Sequence, residues 1–448
     1  MNFNKDFTFG TATSSYQIEG AHNEGGRTPS IWDMFCDIPG KVYEQHNGNV
    51  ACDHYHRYEE DIQIIKELGV DSYRFSIAWP RIFPAKGDYN PEGMAFYKTL
   101  AKRLREEGIK PAVTLYHWDL PMWAHEEGGW VNRDSVEWFL DYAKVCFREL
   151  DGLVDSWITH NEPWCAGFLG YHMGVHAPGH TNLDEALRAV HHMLLSHGEA
   201  VNMLKNEFAS TTSIGITLNL SPVYPKTDSV NDRLAANNSD GYSNRWFLDP
   251  VFKGSYPVDM MNLFSKYVHN YEFIQEGDLQ IISTQCDFFG INFYSRGLVE
   301  FNAANDFLTQ GAHSDYEKTG MGWDIAPNEF KDLIRRLRNE YTDLPIYITE
   351  NGAAYDDKVE DGRVHDQNRI DYVEKHLQAV SDLNEEGMNI QGYYLWSLLD
   401  NFEWSFGYDK RFGIIHVNYE TQERIWKDSA LWYADIVKNR GSVLPLNA

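Results

Sequence analysis

The sequence predicts an α/β protein, a (β/α)8 TIM barrel built as a single domain over residues 1–448, with long loops at its C-terminal face. Three observations carry the prediction. Eight short apolar runs recur along the chain. Segments of helical periodicity fill most of the gaps between them. The Gly-rich turns GxGxxG and GxxxxGK[ST], the usual mark of an open doubly wound sheet, do not occur. Eight strand–helix alternations close naturally as a barrel, and barrels of this kind routinely run long as one domain.

The strands are expected at Phe7 to Thr11, Ser72 to Ile77, Ala112 to His117, Trp157 to Asn161, Ile214 to Asn219, Phe288 to Phe293, Ile346 to Glu350 and Gly392 to Ser397. The first clear helix, Tyr58 to Leu68, puts Ile62, Ile65 and Leu68 on one face and Glu59, Glu60 and Lys66 on another. Met94 to Glu107 repeats the pattern. Further helices are expected over Ser135 to Glu149, Leu183 to Glu207, Glu329 to Glu340, Asp366 to Glu386 and Ser429 to Asn439. Asp134 and Asn182 have the chemistry of N-caps, and Gly69, Gly108 and Gly387 stand where helices should stop. Thr13 to His54, Leu220 to Asp240, Phe301 to Trp323 and Asn401 to Tyr419 read as loops. Long loops on that face of a barrel build a pocket.

Composition excludes several function classes. The formal net charge is −27, which works against nucleic acid and anionic membrane surfaces. No stretch approaches about 18 uninterrupted apolar residues, so no membrane span is expected. The five cysteines, Cys36, Cys52, Cys146, Cys165 and Cys286, are irregularly spaced with no CxxC, the pattern of free thiols in a reducing compartment. The start Met1-Asn2-Phe3-Asn4-Lys5-Asp6 lacks an apolar signal core, which points to the cytoplasm. A large acidic barrel with scattered aromatics is also compatible with a homo-oligomer.

Two runs end in a carboxylate. Ile346-Tyr347-Ile348-Thr349-Glu350 leads into Asn351-Gly352, and Ser156-Trp157-Ile158-Thr159-His160-Asn161 leads into Glu162-Pro163. Side chains at the C-terminal strand ends of a barrel point into the active-site mouth. A solvated Glu before a turn is the mundane alternative for either one. Two carboxyls at two strand ends are what glycoside hydrolysis needs, one protonated to expel the leaving group and one ionised to attack. Around them fall Gln17, Arg74, His117, Asn219, Asn292, Tyr294, Trp396 and Glu403-Trp404. Amides, imidazole and carboxylate bind hydroxyls while indole packs on C–H faces, which is the composition of a neutral-sugar site. An Arg inside an apolar run, as at Arg74, should be buried and needs a partner. Other chemistries lack their groups: neither HExxH nor GxSxG occurs, adjacent His191 and His192 face different sides of a helix, and no metal or organic cofactor is indicated.

These motifs resemble those of the family-1 glycoside hydrolases, the bacterial β-glucosidase type, over nearly the whole chain. The resemblance rests on Phe9-Gly10-Thr11-Ala12-Thr13-Ser14-Ser15-Tyr16-Gln17-Ile18-Glu19-Gly20, Arg74-Phe75-Ser76-Ile77-Ala78-Trp79-Pro80-Arg81, Tyr116-His117-Trp118-Asp119-Leu120-Pro121, Asn161-Glu162-Pro163, Ile348-Thr349-Glu350-Asn351-Gly352 and Asp400-Asn401-Phe402-Glu403-Trp404. It implies Glu162 as acid/base and Glu350 as nucleophile. Gln17, His117, Asn161 and Glu403 would bind glycone hydroxyls, with Asn219 beside them. Trp396 would floor the sugar with Trp404 alongside. Arg74, Tyr294 and Asn292 would support Glu350, while Trp323, Cys165 and His176 would line the aglycone side. Members usually carry Phe before the Asn-Glu-Pro motif, and here His160 stands there, pointing by strand alternation toward the strand–helix layer.

The resemblance implies retaining hydrolysis of terminal β-D-glucosyl residues of cello-oligosaccharides and aryl or alkyl β-glucosides, as in cellulose degradation, with β-galactosidase and β-fucosidase side activity. Glu350 beside Arg74 is expected to have a lowered pKa, and Glu162 a raised one. The two carboxyls are expected about 5–5.5 Å apart, the retaining separation. The runner-up is a 6-phospho-β-glucosidase, whose branch tends to carry Ser where Glu403 stands. A non-catalytic sugar-binding barrel is the other alternative, and it would have lost a carboxylate.

Overall fold

The computed structural model describes residues 1–208, 210–268 and 270–441, so the last part of the expected domain, 442–448, lies outside the described residues. Eight parallel strands close a barrel: β1 (Thr8–Ala12), β2 (Ser72–Ser76), β3 (Lys110–Tyr116), β4 (Ser156–Asn161), β5 (Ser213–Asn219), β6 (Phe288–Asn292), β7 (Ile346–Asn351) and β8 (Ile390–Trp396). Each strand pairs with the next, and β8 returns to β1 with Ala12 opposite Trp396. All eight expected strands are present, each within a few residues of its predicted bounds. They are buried on both faces, inside by barrel packing and outside by helices, which is why they read as continuous apolar runs rather than alternating ones.

The helices over His54–Leu68, Pro91–Glu106, Ser135–Glu149, Leu183–Asn202, Pro327–Glu340, Gln367–Glu385 and Asp428–Lys438 match the periodic segments. Asn182 caps as expected, its Oδ1 accepting from the backbone of Asp184 and Glu185. Asp134 does not cap. Asn132 holds that turn instead, its Oδ1 accepting from the Asp134 amide at 3.0 Å. Beyond Asn202 the expected helix continues only as a π-helical turn, Met203–Glu207. Gly69 adopts φ +72°, which a side chain would resist, and so ends its helix where the sequence placed the stop.

All four expected loops carry regular elements: Thr13 to His54 holds the short helices Ser15–Ile18 and Ile31–Cys36, and Asn401 to Tyr419 holds the strand Ile415–Val417, paired with Arg424–Trp426. Leu220 to Asp240 contains the strand Val223–Pro225 and the helix Val230–Asp240. Ser229 caps that helix, but only Ala235, Ala236 and Asn238 are buried on it, so it carries almost no apolar stripe to detect. Phe301 to Trp323 contributes Thr309–Gly311, which pairs with Gly297–Phe301 in a small sheet beside the barrel mouth. All five cysteines are free and buried. No helix among the described residues is long and apolar enough to cross a membrane.

Candidate active site

The strand ends converge on a cavity of about 560 Å3 at the C-terminal face. Both acid-bearing strands lose regular register just before their ends, β4 between Ile158 and Asn161 and β7 after Ile348. Such breaks re-aim the following side chain. Glu162 itself sits at φ +49°, Trp118 at +79° and Trp404 at +50°. A left-handed backbone at non-glycine residues costs about 1–3 kcal/mol each and persists only where the surroundings impose it. Here it turns two indoles and one carboxyl into the same cavity.

Each carboxyl has its own set of partners. Arg74 Nη1 donates to Glu350 Oε1 at 2.6 Å, and Tyr294 Oη donates to Glu350 Oε2 at 2.7 Å. Asn292 Nδ2 donates to Glu162 Oε1 at 2.6 Å, and the Cys165 thiol donates to Oε2 at 3.0 Å. Arg74 Nη2 also donates to Asn161 Oδ1 at 2.6 Å. That fixes the Asn161 amide, so its Nδ2 donates to His117 Nε2 at 3.2 Å. His117 is held neutral by burial and by Arg74, so its proton lies on Nδ1. Thr349 Oγ1 donates to Asn292 Oδ1 at 2.7 Å and fixes that amide as well. One network thus orients both carboxyls.

The electrostatics separate the pair. Burial, then the charge of Glu350, pushes Glu162 up to about 7. Glu350 departs from the expectation of a lowered pKa: burial raises it from the ordinary value, while Arg74 and Tyr294 pull it back. The sequence showed the Arg but not how completely the carboxyl would be removed from water. Glu350 still loses its proton before Glu162, because its two strong donors stabilise the anion and that anion then holds the proton on Glu162. Glu403 is pushed up to about 8, by burial first and then by the other two carboxylates.

The cavity wall brings together Glu162, Glu350, His117, Asn161, Asn219, Asn292, Tyr294, Trp323, Trp396, Glu403, Trp404, Cys165 and His176. Arg74 lies beneath it as the partner of Glu350. Gln17 does not line it. Its Nε2 donates to Asn401 Oδ1 at 3.0 Å and to the Phe402 carbonyl at 2.8 Å, so it braces the loop that carries Glu403. Four buried polar atoms of the wall, His117 Nδ1, Glu403 Oε2, Trp164 Nε1 and His176 Nδ1, have no partner among the described residues. Unpaired buried polar groups are costly. Converging on one cavity, they are suited to a ligand rich in hydroxyls.

Sequence reasoning missed part of the wall. Trp164 lies two residues after Glu162, directly after the Asn161-Glu162-Pro163 motif, and its position before the turn Cys165–His172 is a usable signal. The charged rim gave none. Arg296 and Lys318 both reach Asp324, at 3.0 and 2.6 Å, from segments the sequence presents as irregular. Among the described residues no group of three or more His, Cys, Asp or Glu side chains is arranged to hold a metal ion.

Cleavage of a glycosidic bond asks for one protonated and one ionised carboxyl facing one cavity, and the class of protein that the barrel and this site define is a glycosidase. The chain belongs to glycosyl hydrolase family 1, whose profile matches residues 1–442. It is 47% identical over 446 residues to β-glucosidase A of Acetivibrio thermocellus, covering 98% of this chain and 99% of that protein. It is 42% identical over 465 residues to a bifunctional β-D-glucosidase/β-D-fucosidase of Bifidobacterium breve, covering 99% of each. The crystal structure of a family-1 β-glucosidase from Exiguobacterium antarcticum B7 superposes with a TM-score of 0.98 at 80% identity, covering 99% of this chain and 100% of that one.

Proposed function

We propose that this protein is a retaining β-glucosidase acting as one catalytic domain. It removes terminal β-D-glucosyl residues from cello-oligosaccharides and aryl or alkyl β-glucosides. The observation that carries the reading is the asymmetric pair: Glu350 tied to Arg74 and Tyr294, Glu162 near neutrality at about 7. Glu350 attacks the anomeric carbon as Glu162 protonates the leaving oxygen, and a covalent glucosyl-enzyme forms. Bonding neutralises Glu350, so the charge that held the proton on Glu162 is gone. Its pKa falls, and Glu162 then takes a proton from the attacking water.

His117, Asn161 and Glu403 bind the glycone hydroxyls, and Trp396 supplies the flat apolar floor. Glu403 cannot discriminate strongly between C4 epimers, and the Bifidobacterium relative supports β-fucosidase side activity. Glu403, raised to about 8, offers a phosphate no positive charge to bind, which disfavours the 6-phosphoglucoside reading. Both acid residues are present, which disfavours a sugar-binding barrel without turnover. The acidic surface, at −27, supports a small neutral substrate rather than nucleic acid. Five free thiols support a cytoplasmic location, in which the enzyme would complete cellulose degradation on imported oligosaccharides.

The test is proton NMR of p-nitrophenyl β-D-glucoside during hydrolysis. β-Glucose appearing first and mutarotating later supports double displacement. α-Glucose appearing first overturns the nucleophilic role of Glu350.

A further inference from the structure

The two oxygens of Glu162 are not equivalent. Oε1 faces Asn292 Nδ2 at 2.6 Å, a donor whose orientation is locked because Thr349 occupies Asn292 Oδ1. An oxygen that already accepts from a fixed N–H is the carbonyl-like oxygen of a protonated carboxyl, so the acid proton belongs on Oε2. The protein group facing Oε2 is the thiol of Cys165 at 3.0 Å. Cys165 sits one residue beyond Trp164, where the chain enters the π-helical turn Cys165–His172, and both Cys165 and Glu162 line the cavity.

Of the two side chains bonded to Glu162, the Asn292 N–H can only donate, whereas the Cys165 thiol can both donate and accept. The acid/base role alternates between O–H and O⁻ at the same oxygen. A fixed donor such as an amide would oppose the protonated state, and a fixed acceptor would oppose the ionised one. Resting on the double-displacement reading above, we propose that Cys165 is a positioning residue for the proton of Glu162: its S–H donates to Oε2 at 3.0 Å when that oxygen is ionised, and its sulfur turns to accept from Oε2–H when Glu162 holds its proton. No proton passes to sulfur. The leaving oxygen of the substrate displaces sulfur as the acceptor, and the S–H turns back when the proton has gone.

The surroundings keep the thiol protonated throughout. Burial, then Glu162, Glu350 and Glu403, hold it well above its usual range, so it is a hydrogen-bonding group and not a nucleophile. The charged groups acting on Glu162 itself are Glu350 from β7 and Arg74 from β2, and Glu403, which Glu162 in turn raises, faces it from the loop after β8. Glu350 and Arg74 are not displaced by a change at position 165, since Arg74 is anchored on Glu350, Asn161 and the Thr349 carbonyl. Tyr242 is the remaining titratable group near the sulfur, and burial raises it far from the working pH.

The experiment compares the pH profile of kcat/KM for p-nitrophenyl β-D-glucoside in wild type, Cys165→Ser and Cys165→Ala. Removing the donor should move the alkaline limb, which reports Glu162 as acid, upward by about half to one pH unit in Cys165→Ala. Cys165→Ser, a stronger donor, should leave it at or below wild type. Coincident limbs in all three proteins, with KM alone altered, would overturn the proposal and leave Cys165 as cavity wall. A second readout needs neither turnover nor a stable variant. The infrared S–H stretch of the wild type, titrated across the Glu162 transition, should shift to lower frequency as Oε2 ionises. With five free thiols contributing, a spectrum in which no S–H band moves across that transition would overturn the proposal even if the enzyme is fully active. Failure of the wild type to hydrolyse the glucoside would instead count against the proposed function, a result separable from either of these.

Discussion

Arg74 Nη1 meets Glu350 Oε1 at 2.6 Å with 1% of the Arg side chain and 5% of the Glu side chain exposed. The same guanidinium holds Asn161 Oδ1 and the Thr349 carbonyl, so one planar fork fixes β2, β4 and β7 relative to each other. Removing one member of a buried pair strands the other charge, at a cost of about 3–5 kcal/mol. Arg74→Met should therefore lower kcat/KM by about 10²–10⁴-fold. The acid limb, which reports ionisation of Glu350, should move to higher pH, because the group that opposed the effect of burial is gone. A pH profile with wild-type limbs and only reduced amplitude would show that Arg74 does not set the state of Glu350.

Three carboxyls crowd the cavity, and two are raised to about 7 and about 8. For Glu162 the folded pKa lies above its ordinary 4.5. The protonated form is thus favoured by folding, and its contribution is complete below pH 4.5 and lost as pH rises through 7. Glu162→Gln carries no charge to bury. Its thermal midpoint should match wild type near pH 4.5 and exceed it at pH 8, by the equivalent of about 1–3 kcal/mol. Scanning calorimetry at the two pH values checks the sign. An equal difference at both would mean that the gain comes from packing and not from the charge.

Gly352 follows the Glu350-Asn351 pair, and a Cβ there would sit 1.7 Å from the Trp396 carbonyl oxygen. That oxygen belongs to the backbone at the end of β8, so relief requires moving the strand end that presents the Trp396 indole. Gly352→Ala should destabilise by about 1–3 kcal/mol, the usual cost of overpacking. It should also lower kcat at least about tenfold, because misplacement by about 1 Å is already costly in catalysis. Activity at wild-type level with a reduced thermal midpoint would separate the strand end from the chemistry.

The barrel was legible because both faces of nearly every strand are buried, so the strands read as short, largely apolar runs between polar helices. Glu162 and Glu350 were legible for the same reason, as carboxylates ending such runs. The helix Val230–Asp240 was not, because it turns only small residues inward. The rim formed by Arg296, Lys318 and Asp324 joins segments distant in sequence and without periodicity. The direction of the Glu350 shift was misread because sequence shows which charge is near but not how little water remains. The contacts of the Gln17 amide with Asn401 and Phe402 have no sequence signal, because they depend on how a loop from the far end of the chain folds back.

His160 takes the place usually held by Phe before the Asn-Glu-Pro motif, and it lies as expected in the layer between barrel and helices. Its Nε2 pairs with Ser196 Oγ at 2.8 Å, and its ring stacks on Phe139 at 4.7 Å. Burial holds it neutral, so it adds no charge to the field at Glu162. Its Nδ1 has no partner among the described residues. Phe at this position would remove that orphaned nitrogen and keep the stacking, while Ser196 Oγ retains its bond to the Met193 carbonyl. His160→Phe should therefore stay within about 1 kcal/mol of wild-type stability. The alkaline limb of kcat/KM should not move, in contrast to the shift expected from Cys165→Ala. A limb displaced by more than about half a pH unit would mean that His160 carries charge when Glu162 titrates, and that the neutral imidazole inferred from burial is wrong.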